Sequence, residues 1–277
     1  MDRPATAVLA GAGVAALGAA VWTTLVEPRR LRVREVAVEV RAWPETLMGL
    51  RVALVSDIHA GAPHVDEHRV ARVVDAVNAA RPDLVALLGD YVDPKVALGT
   101  RVEPETVAER LGALEATLGA FAVLGNHDWA DGGERVRRAL REHRIEVLEN
   151  DAVSVDLGGE VLWIVGLADA TRRDPDLATP FALVPDGAPL IVLTHDPDVF
   201  PRMPDRPLLA AAGHTHGGQV NLPLVRERVT PSRYGDRYAG GLFRRGQRVM
   251  YVSRGIGTST LPVRLRATPE VVVLDVR

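Results

Sequence analysis

The chain has 277 residues, 47% of them hydrophobic, which is enough for one enzyme-sized domain with a sizeable core. A formal net charge of −3 offers no cationic field to gather polyanions, so a general nucleic-acid binder is disfavoured and substrate phosphate must be held locally. With no cysteine, disulfides and thiolate metal sites are excluded, and any metal must take imidazole, carboxylate or amide oxygen ligands.

Residues 4–26 carry no charge, and Ala7–Val26 read as a helix spans about 30 Å, the thickness of a bilayer's hydrocarbon core. Glu27, Pro28, Arg29 and Arg30 end the run abruptly, and Trp22 suits an interface. The expectation is an N-terminal membrane anchor over residues 1–30, in contact with lipid, and a catalytic domain over residues 31–277. Two alternatives stand beside it: a cleaved signal peptide, with Gly18 and Ala20 as small residues near a cleavage point, which would export the domain, and an apolar helix packed on the domain. Arg29, Arg30, Arg32 and Arg34 follow the segment and only Arg3 precedes it. The positive-inside rule therefore places the domain on the cytoplasmic side of the cell membrane.

Leu31–Val40 alternates apolar and charged residues as a half-buried strand does, and Arg51–Val55 begins a β/α rhythm. Asp66–Ala80 places Val70, Val73, Val74 and Val77 on one helical face, and Leu84–Leu88 is a buried-strand run. Val107, Leu111, Leu114 and Leu118 predict a second helix, Phe121–Leu124 a strand, and Gly133–His143 a third helix. Strands are then expected at Val153–Asp156, Val161–Val165, Leu190–Thr194, Leu208–Ala212, Val249–Ser253 and Val271–Val276. An α/β chain of this layout is satisfied by two packed sheets flanked by helices.

Polar clusters close five of these strands: Asp57-Ile58-His59, Gly89-Asp90-Tyr91-Val92-Asp93, Gly125-Asn126-His127-Asp128, Thr194-His195-Asp196 and Gly213-His214-Thr215-His216. Open α/β sheets bind ligands at those strand ends, and five of the eight histidines fall there. Asp57, His59, Asp90, Asn126, His195, His214 and His216 offer oxygen and imidazole nitrogen, a donor set preferred by manganese, iron and zinc. Seven ligands exceed the need of one ion. Two ions sharing a carboxylate, about 3.5–4 Å apart, would use them all and could hold a bridging hydroxide in line with a phosphorus.

In these blocks, and in their order, the chain resembles the calcineurin-like metallophosphoesterase superfamily from about Arg51 to Arg277. The resemblance implies a four-layer α-β-β-α sandwich of mostly mixed sheets. It also implies one divalent cation on Asp57, His59, Asp90 and His216 and a second on Asp90, Asn126, His195 and His214. His127 would contact substrate phosphate beside Asn126 and protonate the leaving oxygen, oriented by Asp93; Asp128 stands where many members have glutamate. The runs EPRR, SDIHAG, GHTHGGQVNLP, Ser232-Arg233-Tyr234-Gly235 and YVSRGIGTSTLPVRLRATPE look like the bacterial membrane-associated subgroup with an N-terminal transmembrane segment. That subgroup includes phosphodiesterases and is related to the hydrolases of UDP-diacylglucosamine. The function so implied is dinuclear-metal hydrolysis of a phosphodiester or pyrophosphate, in a small, nucleotide-sugar or lipid-linked substrate. A catalytically silent, membrane-tethered metal-binding regulator is the alternative.

The remaining polar residues are read more simply. Asp128 and Asp196 either brace a histidine or begin a helix. His64, His68 and His143 are expected on helix surfaces or in loops. Arg226, Arg228, Arg233, Arg237 and Arg254 form a solvated face or meet phosphate or a lipid headgroup. Asn221, Tyr234 and Trp129 are candidates for the substrate cleft.

Overall fold

Leu84–Leu87, Leu190–Leu193 and Leu208–Ala212 are apolar at every position and wholly buried, as strands covered on both faces must be. The computed structural model describes residues 3–94 and 98–277, with side chains from residue 11 onward. In chain order the elements are α1 (Arg3–Val21), β1 (Arg32–Val38), β2 (Leu50–Val55), α2 (Glu67–Ala79), β3 (Leu84–Leu87), α3 (Pro104–Leu111), β4 (Ala120–Ala122), α4 (Asn126–Glu142) and β5 (Ile145–Val147). They continue as β6 (Asp151–Asp156), β7 (Val161–Gly166), α5 (Ala178–Ala182), β8 (Leu190–Leu193), β9 (Leu208–Ala212), α6 (Arg226–Val229), β10 (Gly241–Arg245), β11 (Arg248–Val252) and β12 (Glu270–Val276).

Two six-stranded mixed sheets result, ordered β1-β12-β2-β3-β4-β5 and β10-β11-β9-β8-β7-β6. Within them β2-β3-β4-β5 and β11-β9-β8-β7 run parallel, while β12 lies antiparallel to β2, and β10 and β6 close the second sheet antiparallel. Alternation along β2 explains the layering. Val52 and Leu54 point to a core shared with Ile164, Ile191, Leu209 and Leu274 between the sheets, whereas Ala53 and Val55 face the core under α2, α3 and α4. A third core, built on Val192, Ala210 and Phe200, covers the far face of the second sheet.

Several elements differ from the sequence expectations. The second helix stops at Leu111, and Leu114 and Leu118 lie in the turns after it; both still pack on the cores, so their spacing signalled burial rather than a longer helix. The third helix begins at Asn126 instead of Gly133, running through a kink at Gly132 (φ 104°). Its early start follows from Asp128, whose carboxylate accepts from Gly125 N at 2.9 Å and satisfies a free amide of the first turn. β5 and β10 were not expected. The first is three residues long, and the second, Gly-Leu-Phe-Arg-Arg, lacks a clean alternation.

The expected membrane-spanning helix is not found: among the described residues no helix is long and apolar enough to cross a membrane. The apolar run is not one α-helix to Val26, because α1 ends at Val21, a π-helical turn covers Trp22–Val26, and a 3₁₀ turn covers Glu27–Arg29. Its end is fastened to the domain. Thr23 O accepts from Arg264 N (2.9 Å), Thr24 O bonds His64 Nε2 (2.8 Å), and buried Glu27 accepts from Ala267 N (2.9 Å) and Trp22 Nε1 (3.1 Å). His64, expected in solvent, is thus a half-buried tie between this segment and the domain.

Candidate metal centre

Asp57 and His59 follow β2, Asp90 follows β3, Asn126 opens α4 just after β4, His195 follows β8, and His214 and His216 follow β9. The loops are stitched together by backbone bonds: Asp57 N to Gly89 O (3.0 Å), His59 N to Asp90 O (2.9 Å) and Gly213 N to His195 O (3.0 Å). Across the two sheets, His214 N donates to Asp57 Oδ1 at 3.0 Å. Asp57, His59, Asp90, His214 and His216 all have positive φ, between 47° and 70°. Each such residue costs about 1–3 kcal/mol, and strain concentrated on five neighbouring polar side chains is the mark of a preorganised site. Gly213 permits the closest approach, since a Cβ there would overlap Ser56 Oγ and stand 2.5 Å from Asp57 Oδ2.

Six of the seven candidate ligands come within reach of one another, and Asn126 borders the cavity they line. His59 Nε2 and His216 Nε2 face each other at 3.1 Å, and His195 Nε2 and His214 Nδ1 at 3.2 Å. Asp90 Oδ2 lies between the pairs, 3.5 Å from His59 Nε2 and 3.2 Å from His195 Nε2, while Asp57 Oδ1 is 3.5 Å from His216 Nε2. His195 Nδ1 is 2.7 Å from Leu88 O; a proton belongs there, which leaves Nε2 as the ring atom that faces Asp90. Asn126 Oδ1 is buried with no hydrogen-bond partner among the described residues. Imidazole nitrogens paired at 3.1 and 3.2 Å beside two carboxylates and an orphaned amide oxygen make a dense set of oxygen and nitrogen donors, which fits divalent metal ions. Asp57, His59 and His216 form one cluster of potential ligand atoms, Asp90, His195 and His214 a second, and His59, Asp90 and His127 a third that overlaps both, each within 4.8 Å.

Electrostatics distinguish the two clusters. Burial drives His59 down to about 3 against the pull of Asp90, and burial together with the Arg264 cation holds His216 well below its ordinary value. Both are therefore neutral and ready to ligate. Burial also penalises a charged His195, but Asp90 overrides it and holds that imidazole well above its usual range. For Asp90, burial is outweighed chiefly by His195, and the carboxyl stays well below the usual carboxylate range. A cation on His195 must displace a proton, so binding there strengthens as pH rises, by about tenfold per unit below that imidazole's pKa. Metal titrations between about pH 6 and 8 should show this slope together with proton release; pH-independent loading would contradict the assignment.

Asp128 has a defined task. Wholly buried, it accepts from Asp90 N (2.7 Å), Tyr91 N (2.8 Å) and Gly125 N (2.9 Å), tying the turn that carries Asp90 to the turn that carries Asn126. Burial and the Asp90 charge push its carboxyl up to about 7. Asp128→Ala leaves three amides unpaired at about 1–3 kcal/mol each. We expect at least about 3 kcal/mol of destabilisation by denaturant unfolding and a metal affinity lower by about 10–100-fold.

His127 stands at the rim, its backbone N bonded to Asp90 Oδ1 at 2.8 Å and its ring edge-on to His59 at 4.6 Å between centroids. Asp93, expected to orient this ring, has Oδ1 3.8 Å from His127 Nδ1, beyond hydrogen-bond reach. Asp196 caps the turn after it, accepting from Asp198 N at 2.8 Å. The arginine face is mostly internally paired: Arg226 with Asp236 (2.6 Å), Arg233 with Asp198 (3.6 Å), Arg254 with Glu270 (3.6 Å) and Arg237 over Tyr238. Nor do Asn221, Tyr234 and Trp129 line the cavities at the centre; Trp129 lies under Arg173 and Arg137.

Two contributors escaped the sequence reading. Ser56 Oγ donates to Asp57 Oδ2. Arg264 is wholly buried, donates to Arg254 O (2.9 Å), Ala267 O (2.6 Å) and Gly257 O, and places Nη2 3.4 Å from His216 Nδ1. Its signal was an arginine set among apolar residues in Leu261-Pro-Val-Arg-Leu265.

Paired strand-end carboxylates and imidazoles between two α/β layers define a metal-dependent hydrolase. The chain belongs to the calcineurin-like phosphoesterase family, whose model matches residues 50–228, and it is a metallophosphoesterase. It is 29% identical over 272 residues to the uncharacterized metallophosphoesterase YkuE of Bacillus subtilis, covering 97% of this chain and 93% of that protein. Phosphodiesterase YaeI of Escherichia coli is 35% identical over 201 residues, 70% of each chain. UDP-2,3-diacylglucosamine pyrophosphatase LpxG of Chlamydia trachomatis is 26% identical over 311 aligned positions, 92% of each.

Proposed function

We propose that this metallophosphoesterase cleaves phosphodiester or pyrophosphate bonds with two divalent cations, one on Asp57, His59, Asp90 and His216 and one on Asp90, Asn126, His195 and His214. The observation that carries the reading is Asp90 Oδ2, set between two pairs of facing imidazole nitrogens. Such cations supply Lewis acidity and lower the pKa of water. The chain's own residues do the rest. Asn126 and His127 border the space where a phosphate would sit, and His127 is the group placed to give the leaving oxygen its proton. In the balanced reaction water adds to phosphorus, the P–O bond to the leaving group breaks, and that oxygen takes a proton. Preference for a diester or a pyrophosphate is supported by the names of the relatives, phosphodiesterase YaeI and UDP-2,3-diacylglucosamine pyrophosphatase LpxG. Manganese-loaded protein assayed on bis-4-nitrophenyl phosphate should release nitrophenol in proportion to bound metal; stoichiometric metal with no hydrolysis across a phosphoester panel would refute the reading.

A further inference from the structure

Two cavities of similar size open on the centre, and they share Asn126, His127 and the strip Ser259-Thr260-Leu261. Beyond those shared residues their walls differ. The first, about 470 Å³, is closed by Val220, Val229, Pro231 and Val263. The second, about 500 Å³, adds Asp93, Thr258 and the exposed Arg172 to a wall otherwise of alanines and prolines. Among the described residues the Arg172 guanidinium makes no hydrogen bond or ion pair; only its backbone N is bonded, to Asp169.

The dividing strip is held in place. Gln219 Nε2 donates to Ser259 O (3.1 Å) and Leu261 O (2.8 Å), and Gln219 Oε1 accepts from Ser259 N (3.0 Å). Three bonds from one side chain make the strip a fixed partition. A phosphate between Asn126 and His127 therefore faces an apolar chamber on one side and, on the other, a chamber whose charged side chains are Asp93 near His127 and Arg172 at the exposed rim. A monoester would leave one of them unused, whereas a diester or diphosphate has a substituent for each.

Resting on the phosphoesterase reading above, we propose that the substrate phosphorus carries two unlike arms. An alkyl or acyl arm sits between Val220, Val229, Pro231, Leu261 and Val263, and a polar, anion-bearing arm is met by Arg172.

Full-length, manganese-loaded protein is assayed on 4-nitrophenyl n-alkyl phosphates from methyl to octyl. kcat/KM should rise by about fourfold for each methylene buried and level off once the chamber is filled. Val229→Asp, at a position 46% exposed and so tolerant of charge, should flatten this rise, lowering the octyl-to-methyl ratio of kcat/KM. Of two octyl diesters that differ in whether the other alcohol bears a terminal phosphate, Arg172→Ala should slow only the phosphate-bearing one, by about tenfold. A flat chain-length series in protein that hydrolyses the methyl ester, or an equal loss on both octyl diesters, would overturn the two-arm substrate and leave the hydrolase reading standing. No turnover on any member would overturn both.

Discussion

Asp90→Asn should strip both cations and lower kcat/KM by more than about 100-fold, because changes to partners merely behind a metal ligand already cost about 10–100-fold. The carboxylate does three things at once. Oδ2 lies 3.5 Å from His59 Nε2 and 3.2 Å from His195 Nε2, and Oδ1 accepts the His127 amide at 2.8 Å. Asparagine is close in shape, so the backbone bonds to Asp128 and His59 should survive, but the negative charge that would offset two cations is gone. His195 would also lose the partner that holds it protonated, and its pKa should fall. Metal analysis on the purified variant, beside its circular dichroism, separates loss of ligation from loss of fold. Retained metal with retained turnover would refute Asp90 as the shared ligand.

His127→Ala should keep its metals and lose rate by about 10²- to 10⁴-fold on esters with poor leaving groups, the range that general acid catalysis covers. The ring belongs to neither pair of facing nitrogens, and its Nδ1 is buried without a hydrogen bond among the described residues. The deficit should shrink as the leaving group becomes more acidic, since a nitrophenolate departs without a proton. An alkyl diester turned over at the wild-type rate would contradict the role. The 3.8 Å gap to Asp93 implies a weaker influence, so Asp93→Asn should cost less than His127→Ala.

The candidate site was more legible in sequence than the connections around it. Asp57, His59, Asp90, Asn126, His195, His214 and His216 could be picked out because each follows an apolar run that fixes where the chain exits; six of them lie within ligand distance of one another and Asn126 borders the same cavity. Such periodicity reports burial and not element type. That is why Leu114 and Leu118 suggested helix where there are turns, and why the uncharged run before Glu27 suggested a membrane span where α1 gives way to π and 3₁₀ turns. Long-range pairings were silent for another reason. Arg264 touches Thr23 and His216, Glu27 reaches Ala267, and Asp128 spans two loops, and nothing local in a single sequence encodes such meetings. Positive φ at five ligand positions was equally invisible, because aspartate and histidine reach it only where tertiary bonds compel them.

A crystal grown with manganese and measured for anomalous scattering examines the shared-carboxylate centre most directly. Two peaks about 3.5–4 Å apart are predicted, with Asp90 Oδ2 contacting both and Asn126 Oδ1 only the one nearer His195. No peak at saturating manganese, or a single peak that Asp90 does not touch, would contradict a centre built on that residue.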